Sequence, residues 1–114
     1  MNIRLHNLLA VLLLGLSVPA GADFVLVSKA YEVALSELRL PGTTNGTVTF
    51  RECRQCEYHT VRVTAATQYE ANDQRLSLEE FRKQVEDVRQ PSEVTATVLH
   101  HLESDTIKAI RVWF

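Results

Sequence analysis

Two runs that alternate polar and apolar residues, Thr47-Val48-Thr49-Phe50-Arg51 and His59-Thr60-Val61-Arg62-Val63-Thr64, stand on either side of Cys53-Arg54-Gln55-Cys56. Side chains of a strand point alternately to its two faces, so each run offers one face to a core and one to water. A two-residue loop at Arg54-Gln55 places Cys53 opposite Cys56, Phe50 opposite His59 and Val48 opposite Val61. The valines, Phe50 and His59 then share one face, while the threonines, Arg51, Tyr58, Arg62 and both cysteines share the other. A slip of one residue would mix the two sets, so the pattern itself specifies the register. Arg-Gln is not a dipeptide that tight hairpin turns favour, which leaves the turn geometry open.

The amino-terminal segment limits how much chain can join this hairpin. Arg4 precedes an apolar run from Leu8 to Val18, and Pro19-Ala20-Gly21-Ala22 follows with the small residues that a signal peptidase reads. This three-part pattern predicts an export signal over residues 1–22, cleaved between Ala22 and Asp23. The run is too short for the roughly 20 residues that span a bilayer, and no later stretch is apolar enough to span one, so no transmembrane segment is expected after signal removal. About 92 residues of the 114 remain, enough for one small domain at 23–114 and too few for a two-domain enzyme. The whole sequence is 46% hydrophobic and 23% charged, which excludes collagen-like and strongly disordered classes. Its 12 basic residues fall by one with Arg4 against 14 acidic ones, giving the mature chain a net charge of −3. Nucleic-acid affinity comes chiefly from cations that neutralise phosphates, so a nucleic-acid partner is not expected.

The rest of the chain reads as more strand and one helix. Tyr31, Val33 and Leu35 alternate, which favours a short strand within Asp23–Leu40, although Val27, Tyr31, Ala34, Leu35 and Leu38 also fit a helical stripe. Pro41 to Gly46 reads as a loop, and the Asn45-Gly46-Thr47 sequon within it as turn chemistry. Ser77 with Glu80 three residues later forms a capping box, and Leu78, Phe81, Val85 and Val88 recur on one stripe, predicting a helix over about 77–89 that stops before Pro91. A polar stretch from Glu70 to Gln74 separates it from the first hairpin. A second hairpin is expected from Val94–Leu102 and Ile107–Phe114, with Trp113 docked at its end. The expected fold is α+β and β-rich: a small antiparallel sheet or OB-like barrel of about five strands with one α-helix.

Val61-Arg62-Val63-Thr64, Thr67-Gln68-Tyr69, Leu76-Ser77-Leu78-Glu79-Glu80-Phe81, Val94-Thr95-Ala96 and Ala109-Ile110-Arg111-Val112 occur in that order. Through them, over about residues 47–114, the chain resembles small exported bacterial domains of unknown function with an OB-like β-barrel. The resemblance implies a fold and an oxidising compartment and carries over no catalytic residue. Gln90-Pro91-Ser92-Glu93 stands where those relatives have a glycine-acid pair, and the Cys-x-x-Cys lies outside their pattern.

The chemistry of Cys53 and Cys56 stays open at this point. Attachment of c-type haem needs histidine after the second cysteine, and Glu57 is there instead. A thioredoxin-like centre needs its first cysteine at a helix N-terminus, whereas these flanks are strand-like. A zinc or copper site could draw on Cys53, Cys56, His59, His100 and His101. His59 lies on the face away from the cysteines, however, where a lone histidine is usually a hydrogen-bonded core residue. His100 and His101, adjacent on a strand, point to opposite faces, so at most one could join. A disulfide closing the hairpin fits the exported compartment and would add about 2 kcal/mol for so short a loop. No serine-histidine-acid set, phosphate loop or carboxylate pair is evident. The expected function is therefore a non-enzymatic exported module, stapled by Cys53–Cys56, that binds a protein or envelope partner without a cofactor. The alternative is a metal-binding or thiol-disulfide redox protein that uses the same pair.

Overall fold

The computed structural model describes residues 27–114, so the expected signal and its Ala22–Asp23 cleavage point lie outside the described residues. Strands β1 (Ser28–Ala34), β2 (Leu38–Arg39), β3 (Thr47–Phe50), β4 (His59–Arg62), β5 (Gln68–Ala71) and β6 (Gln74–Leu76) precede helix α1 (Leu78–Glu86). Strands β7 (Thr95–His101) and β8 (Thr106–Val112) follow it, with 3₁₀ turns at Leu35–Glu37 and Pro91–Glu93. The architecture is β-rich α+β, but its eight strands form a mixed sheet that is not closed into a barrel: six run in the order β1-β7-β8-β4-β3-β2, and off this path β5 pairs with β8 and β6 with β5. The five strands expected from the sequence undercount it for two reasons. The 3₁₀ turn divides the first strand, and Asn72-Asp73 makes a further hairpin.

Each half of the divided first strand pairs with a different neighbour. β1 runs antiparallel to β7, with Tyr31 opposite Val98. β2 pairs with β3, with Leu38 opposite Phe50. The inward positions are Tyr31, Val33 and Leu35 before the turn and Leu38 after it, so the turn changes the inward parity from odd to even. The strand reading of this segment holds, and the competing helical stripe does not form.

β3 and β4 adopt the register that their alternation specifies, with Val48 opposite Val61 and Phe50 opposite His59. The ladder ends at that last pair, so the turn expected at Arg54-Gln55 sits at the tip of a loop over residues 51–58 and not directly on the ladder. Within the loop the Cys56 N–H donates to the Cys53 carbonyl at 3.1 Å. That bond closes the expected two-residue turn at Arg54-Gln55 and sets Cys53 opposite Cys56, although no ladder pairing joins it to Phe50 and His59.

The expected all-antiparallel sheet is also corrected, because β8 takes β7 antiparallel on one side and β4 and β5 parallel on the other. Arg62 lies opposite Thr106, and Gln68 through Ala71 lie opposite Ala109 through Val112. Between β4 and β5 the chain turns, with the Thr67 N–H donating to the Thr64 carbonyl. The buried Thr67 hydroxyl donates to the Ile107 carbonyl at 2.6 Å and accepts from the Thr64 N–H at 3.0 Å. Thr67 thereby satisfies backbone groups that the interrupted ladder leaves over.

Helix α1 begins where the capping box places it: the Ser77 hydroxyl accepts from the Glu80 N–H at 3.1 Å. It ends at Glu86, three residues before the expected end, as Asp87 N–H returns to the Lys83 carbonyl and Val88 N–H to the Val85 carbonyl. Pro91 opens the following 3₁₀ turn instead of limiting the helix. Phe81 inserts fully among the sheet's inward residues, its ring 5.5 Å from that of Tyr69. With Val33, Val48, Phe50, Val98 and Ile110, all inaccessible to solvent, it forms one core. Trp113, expected to dock, is instead 61% exposed; the Phe114 N–H is held by the Asn72 side chain at 2.9 Å.

Candidate functional site at the disulfide-closed loop

Cys53 and Cys56 are joined by a disulfide, with their Cα atoms 5.0 Å apart. Cys53 is exposed and Cys56 half-buried, at the tip of a loop that adds nothing to the hydrophobic core. Two fixed strand ends carry this loop. Beyond the ladder, the Arg51 N–H donates to the Glu37 carbonyl, extending the β2–β3 pairing by one more contact. The Arg51 guanidinium Nε also donates to Glu37 Oε2 at 2.5 Å, a charge-assisted bond between two half-buried side chains. This bond from Arg51 holds the Glu37 carboxyl below its usual 4.5, with Arg54 and Arg39 adding attraction, while the Arg51 guanidinium is raised in turn by Glu37.

On the other strand end, the Tyr58 ring is 46% exposed but not loose. The Arg51 guanidinium lies 4.6 Å and that of Arg39 5.7 Å from its centre. Such contacts are attractive because the ring face is electron-rich. Arg39, Arg51 and Tyr58 thus share the outward face with Thr49 and Thr60, whose hydroxyls lie 3.2 Å apart. By strand alternation, Arg62 and Thr47, paired one step beyond, belong to that face too. Among the described residues, Arg39 and Arg62 have no ion pair, so the face presents unneutralised guanidinium groups, hydroxyls and one fixed aromatic ring. Net charge does not reveal this segregation. Glu37 and Arg39 were not legible as site residues because the parity change at Leu35–Glu37 hides which face they occupy.

The histidines take other places. His59 does lie on the Phe50 side, away from the outward face, but it is exposed at the rim and not a hydrogen-bonded core residue. Its ring packs 5.3 Å from Phe50 and 5.2 Å from Tyr31. His100 Nε2 lies 2.7 Å from Asp105 Oδ1, and its ring faces Tyr31. His101 Nδ1 instead meets the Ser104 hydroxyl at 2.8 Å. The two adjacent histidines therefore use separate partners. Among the described residues no group of three or more histidine, cysteine, aspartate or glutamate side chains is disposed to hold a metal ion. With both sulfurs in the disulfide, the five candidate ligands are not brought together.

An open groove elsewhere, between Thr43-Thr44 and α1, is lined by Arg82 and Lys83 but also by Glu79 and Glu86, so it has no dominant charge. Among the described residues no helix is long and apolar enough to cross a membrane. Comparison with protein-family models, curated proteins and solved structures gives no match.

Proposed function

We propose that the protein is an exported, non-enzymatic binding module in which Cys53–Cys56 staples a displayed loop and the adjoining face recognises a protein or envelope partner. The observation that carries this reading is Tyr58, half exposed yet held by Arg51 and Arg39. An amphipathic ring fixed before contact loses little side-chain entropy on binding, and Tyr and Arg are favoured at binding hot spots. The disulfide is consistent with an oxidising compartment. We also read the chain as a member of the small exported class that its sequence resembles, a reading supported by the ordered motifs over residues 47–114. A second reading, thiol-disulfide chemistry at the same pair, draws support from the exposure of Cys53.

Co-sedimentation of purified protein with isolated cell envelopes tests the binding reading. The wild type is expected to bind saturably, and Tyr58→Ala combined with Arg39→Ala to lose most of that binding with its circular dichroism unchanged. Equal binding by the double variant, or no saturable binding by the wild type, would overturn it.

A further inference from the structure

We infer that the Cys53–Cys56 bond accepts small thiolates regioselectively, with Cys53 Sγ as the attacked atom and Cys56 as the leaving thiolate. This rests on the thiol reading of the pair and is independent of what the outward face binds. A thiolate must approach the attacked sulfur from the side opposite the sulfur that leaves, so access to that atom limits the reaction. Cys53 is exposed and Cys56 half-buried, and this difference favours approach to Cys53. Charge does not compete with access. The residues flanking the bond, Arg51, Glu52, Arg54 and Glu57, carry two charges of each sign, so net charge singles out neither sulfur. The same sulfur should therefore be chosen by the thiolates of glutathione and of 2-mercaptoethanol, which differ in total charge.

The loop can open without loss of its foundations. Phe50 opposite His59, the two Arg51–Glu37 contacts and the Tyr58 clamp all lie outside the bond. In the step, the incoming thiolate forms a bond to Cys53 Sγ as the Cys53–Cys56 bond breaks, and the electron pair of that bond goes to Cys56 Sγ, which leaves as a thiolate in proton exchange with water. The Cys56 N–H donated to the Cys53 carbonyl keeps that thiolate close. It then either closes the loop again and expels the small thiol, or persists until a second thiolate attacks the mixed disulfide. The second attack releases the oxidised small thiol and leaves two cysteine thiols, so two small thiols supply the two electrons.

The sequence makes the attacked atom readable, because tryptic cleavage after Arg51, Arg54 and Arg62 puts Cys53 in Glu52–Arg54 and Cys56 in Gln55–Arg62. The full protein is exposed to excess glutathione, quenched at short times with N-ethylmaleimide and digested. The expected product has glutathione on the Cys53 peptide and maleimide on the Cys56 peptide, exceeding the inverse by at least about tenfold. Circular dichroism of the undigested sample should be unchanged. Equal or inverted labelling would overturn the assignment to Cys53 while leaving the thiol reading standing. A bond that stays intact in excess glutathione would overturn the thiol reading itself.

Discussion

Glu37 and Arg51 anchor the displayed loop, and their contact has a definite pH signature. The Arg51 hydrogen bond keeps the Glu37 carboxyl below its ordinary 4.5. The folded form therefore binds this proton more weakly than the unfolded form, and the contribution is fully present above the ordinary value and lost as pH falls through the lowered one. Arg51→Ala should raise the Glu37 midpoint in a carbon-detected NMR titration; an unchanged midpoint would contradict the anchor. Tyr69 makes a second residue-scale prediction. Its ring is buried, its hydroxyl has no hydrogen-bond partner among the described residues, and burial pushes the phenol up to about 12. Because an unfolded tyrosine ionises near 10, alkaline stability should fall as pH rises from there through about 12. Tyr69→Phe removes an unpaired buried polar group, so it should be neutral or stabilising by about 1 kcal/mol in urea unfolding at neutral pH. It should also flatten the alkaline loss.

At the scale of elements, legibility followed how local the determining signal is. The β3–β4 register and the α1 start are set by alternation and by a capping box, both contained within a few residues, and both formed as read. Ser77→Ala should accordingly cost about 1 kcal/mol, measured by chemical unfolding. The β5–β6 hairpin stands where the sequence leads one to expect a polar spacer, although its turn signal lies within that stretch. Asn72 and Asp73 both take positive φ, the geometry that two-residue hairpin turns require and these residue types tolerate. The parallel partners of β8 had no local signal, since they depend on contacts about 40 residues apart in sequence. Thr67 is the element-scale test of that arrangement: Thr67→Val keeps the shape but leaves the Ile107 carbonyl and Thr64 N–H without the hydroxyl. A loss of about 1–3 kcal/mol is expected in thermal or urea unfolding. No loss would show that the turn between β4 and β5 does not depend on it.

For the whole molecule, the sheet and α1 enclose one core to which the disulfide loop does not contribute. The bond closes so short a loop that its removal should cost only about 2 kcal/mol, and Cys53→Ser with Cys56→Ser should leave the core and outward face folded. The face that distinguishes this molecule was half legible. Thr49, Thr60, Arg51, Tyr58 and Arg62 fell together by alternation, whereas Glu37 and Arg39 joined only through a change of parity in another segment. The central claim, an exported chain with Cys53 and Cys56 joined, is tested most directly by mass spectrometry. Protein is recovered from the extracytoplasmic fraction with thiols blocked at lysis, and its mass is compared before and after reduction. The account predicts a chain beginning near Asp23 with no blocked thiol before reduction and two reactive thiols after it. A full-length chain confined to the cytoplasm, or two thiols already blocked before reduction, would contradict it.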